Sequence, residues 1–409
     1  MQHFADWYCE HIYSRLSASI GGLVGLLPFS LSEITLYAIF IYILYRLVRI
    51  PVRLLKLKFR RECAAAAAAE AGSFLKTVLI TVLILFVVYE LNCGINYRCT
   101  SFAEKAGLVS ASGGPCSGEP YSTEELYELC AELAEGINTN AVLLKENGMG
   151  SCFQWPDNAL GTAPADSEKT STIPDASADP DASGISNDFP AYDDSQPEST
   201  ALSEMRFSVS GSADFTALGK EARQAMERLG ETFADLSGSY PYPKPFLISR
   251  LLTVQQVTGI YLPVFIEANY NREIPNYNLP FTACHELAHL RGIMREDEDN
   301  FIGYLACINS DDIYFRYSGY MNAWVYAGNE LYKSDKELYR ELYATLCEEA
   351  RNDLKYNNSF WDKYETKTAE AHEKLNDTYL KLQGQSGGIR TYDYMVKLML
   401  EYRRQTAYR

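Results

Sequence analysis

Two long apolar runs near the N-terminus constrain this chain more than any other feature. The first covers residues 34–50 and the second covers residues 74–91, and the stretch from Thr77 to Tyr89 contains no charged residue. About 20 apolar residues suffice for a helix to cross the hydrocarbon part of a bilayer. A buried core helix is the alternative, but a pair of runs that brackets a basic segment favours two transmembrane helices.

The segment between the two runs, residues 51–73, predicts the orientation in the membrane. Its basic residues are Arg53, Lys56, Lys58, Arg60 and Arg61, and Lys76 lies just beyond it. They greatly outnumber the acidic residues of the segment. Short loops rich in Lys and Arg stay in the cytoplasm. We therefore expect a multi-pass protein of the cell membrane, with this loop inside and both termini extracytoplasmic. Residues 1–33 lack the basic start of a signal peptide and predict an interfacial segment.

Composition divides the rest of the chain and limits its partners. We predict that residues 92–155 form the first part of an extracytoplasmic domain and that residues 204–409 form its main part. Between them, residues 156–203 are rich in Ala, Ser, Asp, Pro and Gly, a composition typical of a disordered acidic linker. The net charge of −16 argues against nucleic acid as a partner, because phosphate binding requires clustered basic residues.

The sequence His285-Glu-Leu-Ala-His289 is the strongest chemical signal in the chain. Residues four apart lie on one face of a helix, so His285 and His289 can bind the same zinc ion. Glu286 lies between them, where its carboxylate can accept a proton from a water on the metal. Gly292, three residues after His289, predicts the end of this helix in a left-handed turn.

Local patterns predict the other elements of a mainly α (α+β) fold with a small β-sheet. Ser122-Thr-Glu-Glu125 has the form of a capping box and starts a helix that runs to about Asn138. Another helix is predicted for residues 213–236, and amphipathic helices are predicted for residues 330–409.

Two stretches before the histidine motif, residues 243–250 and residues 259–271, predict short strands. Zinc peptidases commonly pair a strand edge with the substrate backbone, and Glu267 to Asn271 is the candidate because it lies just before the motif. An ordinary sheet strand with a polar end is the alternative.

Several stretches resemble a bacterial family of uncharacterised membrane-anchored proteins, a domain of unknown function whose members carry such a motif after two N-terminal spans. The matching stretches are residues 28–34, 92–98, 243–250, 259–271, 279–307, 315–320 and 376–381. The family usually has a small residue at the position of Asp299. The resemblance implies an extracytoplasmic zincin-like helical domain, and it implies no substrate.

The segment Arg295-Glu-Asp-Glu-Asp-Asn300 is similar to the second zinc helix of membrane-bound gluzincins. That similarity implies Glu296 as the third metal ligand and Asn300 as the group that orients a zinc histidine. Glu298 is the alternative ligand, although it shares a helix face with apolar residues and so points toward the core. The gap after His289 is shorter than gluzincins usually have.

A peptidase also needs a group that stabilises the oxyanion. Tyr317 and its neighbour Arg316 are favoured because they lie in a stretch that matches the family. The other candidates are Tyr320, Tyr379, Tyr392 and His372.

Nine of the ten cysteines fall on the extracytoplasmic side, where Cys99 with Cys116, or Cys130 with Cys152, can form bridges. Sequence leaves the pairing open. Cys284 adjoins the motif, but its helical position predicts a small buried residue.

These patterns predict a zinc metalloendopeptidase that is anchored in the membrane and hydrolyses a peptide or protein substrate on the extracytoplasmic side. The alternative is a receptor or assembly factor that uses the same fold as a non-catalytic binding module. Structural zinc sites are usually closed by four protein ligands, with Cys prominent among them. A purely structural site here therefore requires Cys307 at the metal. Oligomeric state is not predicted.

Overall fold

The structure is a computed structural model that describes residues 2–57, 63–109, 121–146, 215–382 and 392–407. Within these residues the chain is mainly helical with one small sheet, which confirms the predicted fold class. The linker predicted for residues 156–203, together with Cys116 and Cys152, lies outside the described part.

The N-terminal segment forms a nearly continuous helix rather than an irregular surface strip. It consists of α1 (Gln2–Tyr8), α2 (Ser14–Leu16) and α3 (Gly22–Val24), joined by the π-helical turns Cys9–Tyr13 and Ser17–Gly21. One face is buried against the domain, through Ala5, Tyr8, Tyr13, Ser17 and Val24. The sequence predicted an interfacial segment here and missed this packing.

The two predicted spans are the long helices α4 (Leu31–Leu57) and α5 (Cys63–Tyr89). Both are long and apolar enough to cross a membrane, and 11% and 0% of their most apolar windows are buried within the chain. Neither is therefore a core helix of this protein. After Tyr89 the chain continues through the π-helical turn Glu90–Gly94 and the 3-10 turn Asn96–Arg98.

Eleven further helices are described after the spans. They are α6 (Phe102–Lys105), α7 (Thr123–Glu146), α8 (Phe215–Thr232), α9 (Arg250–Thr253), α10 (Asn278–His289), α11 (Glu296–Ile308), α12 (Ile313–Ser334), α13 (Lys336–Thr345), α14 (Glu348–Asp362), α15 (Lys367–Leu382) and α16 (Tyr392–Ala407). The predicted capping box starts α7, because Ser122 Oγ accepts from the Glu125 amide at 3.2 Å and Glu125 Oε2 accepts from the Ser122 amide at 3.0 Å. The helix runs past Asn138 to Glu146.

One apolar core holds these helices together. Helices α7, α10, α11 and α12 pack on one another, and α8 and α16 close two sides. Trp324, Phe301 and Phe315 are fully buried at the centre. Since α7 precedes the linker and α12 follows it, the two predicted parts of the extracytoplasmic domain form one folded unit.

The sheet has three short strands, β1 (Lys244–Pro245), β2 (Gly259–Leu262) and β3 (Glu267–Tyr270), in the order β1-β3-β2. Strand β1 is parallel to β3, and β2 is antiparallel to it. The prediction that Glu267 to Asn271 forms a substrate-pairing edge is wrong, because β1 and β2 occupy both sides of β3. The strand predicted for residues 243–250 shortens to two residues because α9 begins at Arg250.

A buried carboxylate at the start of β3 attaches the first span to the domain. Glu267 pairs with the Lys244 ammonium at 2.6 Å, and both side chains are almost completely buried. The same carboxylate accepts from the amides of Leu31 at 3.1 Å and Ser32 at 2.6 Å, and from Ser30 Oγ at 3.2 Å. These are the unpaired donors at the N-terminus of α4, so Glu267 caps the span.

The substitution Glu267→Gln is expected to lower the free energy of unfolding by about 3–5 kcal/mol, because it leaves the buried Lys244 charge without a partner. The midpoint of thermal unfolding of the detergent-solubilised full chain measures this. Glu337→Gln is the matched control, since the Glu337 side chain is 83% exposed and pairs with Arg340 at the surface. Equal effects of the two substitutions would contradict the anchoring role.

Candidate metal centre

A tight turn between α10 and α11 brings the metal-ligand candidates together. Helix α10 ends at His289, and Gly292 adopts the left-handed conformation, with φ at +80°. A Cβ at this glycine would also lie 2.7 Å from the Cys9 sulfur. The predicted helix end is confirmed, and α11 begins with Glu296 only seven residues after His289.

His285, His289 and Glu296 form a group that could hold a metal ion. Each offers one ligand atom, and these atoms all lie within 4.8 Å of one another. His285 Nε2 lies 3.4 Å from Glu296 Oε2, and the two imidazole rings are nearly perpendicular, with centroids 5.1 Å apart. Two imidazole nitrogens and one carboxylate oxygen form a donor set of catalytic zinc sites, which keep a fourth position open.

The structure brings Glu296, and not Glu298, to the histidines. The Glu298 carboxylate accepts from the amides of Phe102 and Ala103, both at 3.0 Å, and so it caps the short helix α6. Its burial agrees with the helical phase, which predicts that it points toward the core. The prediction of Glu296 as the third ligand therefore fits the geometry.

The second nitrogen of each histidine also has a partner. Asn300 Oδ1 accepts from His285 Nδ1 at 2.9 Å, as the sequence predicts, and the Ile293 carbonyl accepts from His289 Nδ1 at 2.9 Å. These bonds fix both rings with Nε2 free to face a metal. Asp299 lies 3.2 Å from His289 Nδ1 and is fully buried.

Glu286 lies between the histidines with an unused carboxylate oxygen. The residue is 4% exposed, and within the described part of the chain its Oε2 has no hydrogen-bond partner. A Cβ built on Gly259 would lie 2.4 Å from Glu286 Oε1, so only glycine fits where β2 crosses the carboxylate. Burial raises the pKa of Glu286 to about 7, against the opposing effect of the two histidines. Such a carboxyl can accept and release a proton near neutral pH.

The charges of the cluster suit a bound cation. Burial raises the pKa of Asp299 to about 6, although His289 opposes the shift. Burial also acts to raise the pKa of Glu296, but the hydrogen bond and the charges of the histidines outweigh it and lower this pKa. Three carboxyl groups and two imidazoles thus lie close together, and a divalent ion would neutralise the carboxylates.

Segments adjoining both spans cover the centre, and the sequence did not predict this. Tyr13 Oη donates to the His289 carbonyl at 3.2 Å, and its oxygen lies 3.1 Å from Tyr261 Oη. Tyr261 in turn donates to the Asn92 carbonyl at 2.9 Å, and its ring centroid lies 5.7 Å from that of His289. Only the family resemblance of residues 92–98 marked this region.

The predicted oxyanion group Tyr317 lies elsewhere. Its hydroxyl is buried and donates to Asp353 Oδ2 at 2.7 Å, and both residues lie beside Tyr277. Tyr277 precedes His285 by eight residues, which is about 12 Å along a helix. Arg316 binds the side chain of Asn140 and nearby carbonyl groups. The structure therefore places both residues in supporting roles at the far end of α10.

Of the other tyrosine candidates, Tyr379 lies closest to the donor group by its contacts. Its hydroxyl lies 2.8 Å from Tyr89 Oη, and its ring packs edge-on against Tyr97. Burial, and then the charge of Glu296, raise the pKa of Tyr97. Tyr320 instead packs over Gly136 of α7, and the side chain of Tyr392 lies outside the described part.

The described cysteines carry free thiols: Cys9, Cys93, Cys99, Cys130, Cys284, Cys307 and Cys347. Cys284 is fully buried, as predicted, and it lies near Cys307. Cys307, which belongs to α11, packs against Gly319 of α12. Among the described residues, the donor group at His285 contains no cysteine, so a closed structural zinc site is not formed there.

The fold and the site define a mainly helical protein with two candidate membrane helices and a buried cluster of possible metal ligands. Residues 8–400 match the model of a family described as protein of unknown function (DUF3810), and the chain belongs to this family. This confirms the resemblance seen in the sequence. No curated protein matches the chain, and no solved structure matches it.

Two glutamates of α11 provide a test of the metal site. The substitution Glu296→Gln is expected to weaken zinc binding by more than about 100-fold, because it removes a ligand rather than a supporting group. Glu298→Gln is the matched control and is expected to retain zinc, since its carboxylate faces the amides of α6. Competition with a chromophoric chelator measures both affinities on the purified full chain. Equal losses would contradict the assignment of Glu296.

Proposed function

We propose that this protein is a membrane-anchored zinc metalloendopeptidase that hydrolyses peptide bonds on the extracytoplasmic side of the membrane. The observation that carries the proposal is the buried carboxylate of Glu286, which has one oxygen without a partner among the described residues and lies between two histidines whose ligand atoms are within 4.8 Å of that of Glu296. A carboxylate in that position costs stability unless it has a chemical use. The positive-inside rule supports the orientation.

Each residue of the cluster has a role in this mechanism. His285, His289 and Glu296 would hold zinc, and Asn300 and the Ile293 carbonyl would keep the imidazole rings oriented. Bound zinc would supply Lewis acidity, which lowers the pKa of a water molecule to about 7. Glu286 would take the proton of the attacking water and pass it to the departing amine. Its pKa of about 7 suits both steps.

The outer edge of β2 is the best-placed strand edge to pair with an extended substrate. Strand β2 ends the order of the sheet, and Gly259 at its start lies against the Glu286 carboxylate. A peptide that adds to this edge would bring its backbone close to the proton acceptor. This assignment replaces Glu267 to Asn271, which lie inside the sheet.

The burial of part of the centre favours a second candidate function. Glu286 and His289 are both more than nine-tenths buried, while the Glu296 side chain is 37% exposed. A receptor or assembly factor that uses the metal to stabilise a binding module would have ligands buried in this way. It would not need the carboxylate of Glu286.

The substitution Glu286→Gln is expected to retain zinc and to lower the rate of peptide hydrolysis by about 10²–10⁴, because it removes the proton acceptor. Cleavage of a library of quenched fluorescent peptides by the purified full chain measures the rate, and a chelator provides the metal-dependent baseline. Glu349→Gln is the control, since that carboxylate pairs with Lys145 near the surface. Zinc binding without hydrolysis in the wild type would favour the binding module, and unchanged hydrolysis in Glu286→Gln would exclude the proposed role.

A further inference from the structure

An exposed apolar surface surrounds the point where α4 leaves the domain. We name this surface the apolar collar. It consists of Leu23, Leu26, Tyr242, Leu247, Ile248 and Leu251, whose exposure ranges from 41% to 80%. The last four belong to the domain itself, outside both spans and outside the N-terminal segment. So many large apolar side chains in one place indicate an interaction surface.

Hydrogen bonds attach the collar to the first turn of α4. The carboxylate of Glu33, the third residue of that helix, accepts from the amides of Leu247 at 2.8 Å and Ile248 at 3.1 Å. On the other side, the Lys244 ammonium donates to the Val24 carbonyl at 2.8 Å. The collar therefore has a fixed position relative to the start of the span.

The length of the apolar part of α4 determines how deep the collar lies in the bilayer. The apolar stretch of α4 covers the 19 residues Leu31–Arg49. At 1.5 Å per residue this is about 28 Å, close to the thickness of the hydrocarbon region. The span thus needs its whole length to cross, so Leu31 lies at one boundary of that region. Leu247 and Ile248, whose amides bind Glu33 in the first turn of α4, lie at the same level.

Basic residues lie beside the collar, where lipid phosphates would be found. Arg250 is exposed and lies 3.9 Å from the Glu273 carboxylate, and Arg272, also exposed, donates to the Leu247 carbonyl at 3.0 Å. Long basic side chains at the rim of an apolar surface reach the headgroup layer while their neighbours contact acyl chains. This charge pattern fits a lipid surface better than the apolar face of a second protein.

We propose that the apolar collar inserts into the lipid leaflet on the side of the domain, with acyl chains as its partner. The proposal rests on the membrane crossing of α4, which is part of the proposed function. It fixes the tilt of the domain and keeps the metal-bearing end of α10 near the membrane. Ser17 Oγ donates to the Leu290 carbonyl at 2.7 Å, and Ser17 precedes Leu23 by about 9 Å of helix.

Photo-crosslinking to lipid tests the proposal on the full chain in lipid nanodiscs. A benzophenone amino acid is placed singly at Leu247 or Leu251, and irradiated protein is examined by mass spectrometry for a lipid adduct. Leu83 in α5, which is 59% exposed, is the membrane control. Val142 in α7 is the matched aliphatic control, because it is 53% exposed and distant from the collar.

The length of α14 shows that Val142 lies far from the collar. This helix contacts α7 near its start, where Glu349 pairs with Lys145, and Tyr364 just beyond its end binds Arg250 beside the collar. Tyr364 follows Glu349 by fifteen residues, almost all of them helical, which corresponds to about 22 Å.

The expected result is a lipid adduct at Leu247, Leu251 and Leu83, with a yield several-fold above that at Val142. An adduct at Leu83 alone would overturn the collar proposal and leave the spans intact. No adduct at any position would overturn the membrane crossing as well. Equal yields at Val142 and the collar, or a crosslink between two chains at Leu247 instead of a lipid adduct, would also overturn it.

Discussion

The packing of the first turn of α11 against the last turn of α10 is the constraint on which the candidate centre depends. One ligand candidate begins α11 and two lie in the second half of α10, so a small rotation between the helices would separate them. The left-handed turn at Gly292 and the bond from His285 to Asn300 hold the two helices in register. Fixed imidazole orientation is what a metal site requires of its surroundings.

The same packing carries an electrostatic cost. Glu286 and Asp299 are buried beside the histidines, and within the described part of the chain Glu286 Oε2 has no hydrogen-bond partner, while Asp299 Oδ2 lies 3.2 Å from His289 Nδ1. Burial raises the pKa of Glu286 and Asp299 because desolvation disfavours a charged carboxylate. Buried groups left in this condition are common at functional sites and rare in purely structural cores.

The domain and its candidate spans form one mechanical unit. Glu267 caps α4 from inside the sheet, Glu33 binds the loop beside it, and Asn92 in the segment after α5 accepts from Tyr261, whose ring lies beside His289. The N-terminal helix completes the cover through Tyr13 and Ser17. Movement of α4 or α5 relative to the domain would therefore change the surroundings of His289, because short, buried contacts couple the site to both helices.

Local features of the chain were predictable, because each depends on residues close together in sequence. The four-residue spacing of His285 and His289, the capping box at Ser122, the helix end at Gly292 and the two apolar helices all follow from helical periodicity and the chemistry of helix ends. The similarity to membrane-bound gluzincins added Glu296 and Asn300, which the structure places beside the histidines.

The tertiary structure alone decided everything that depends on which surfaces meet. Sequence could not show that β1 pairs with the far side of β3, since strand order is set by long-range packing. Nor could it show that Glu298 caps α6, or that Tyr317 faces Asp353 at the other end of α10. Helical phase gives the direction of a side chain, and only the neighbouring elements determine what lies in that direction.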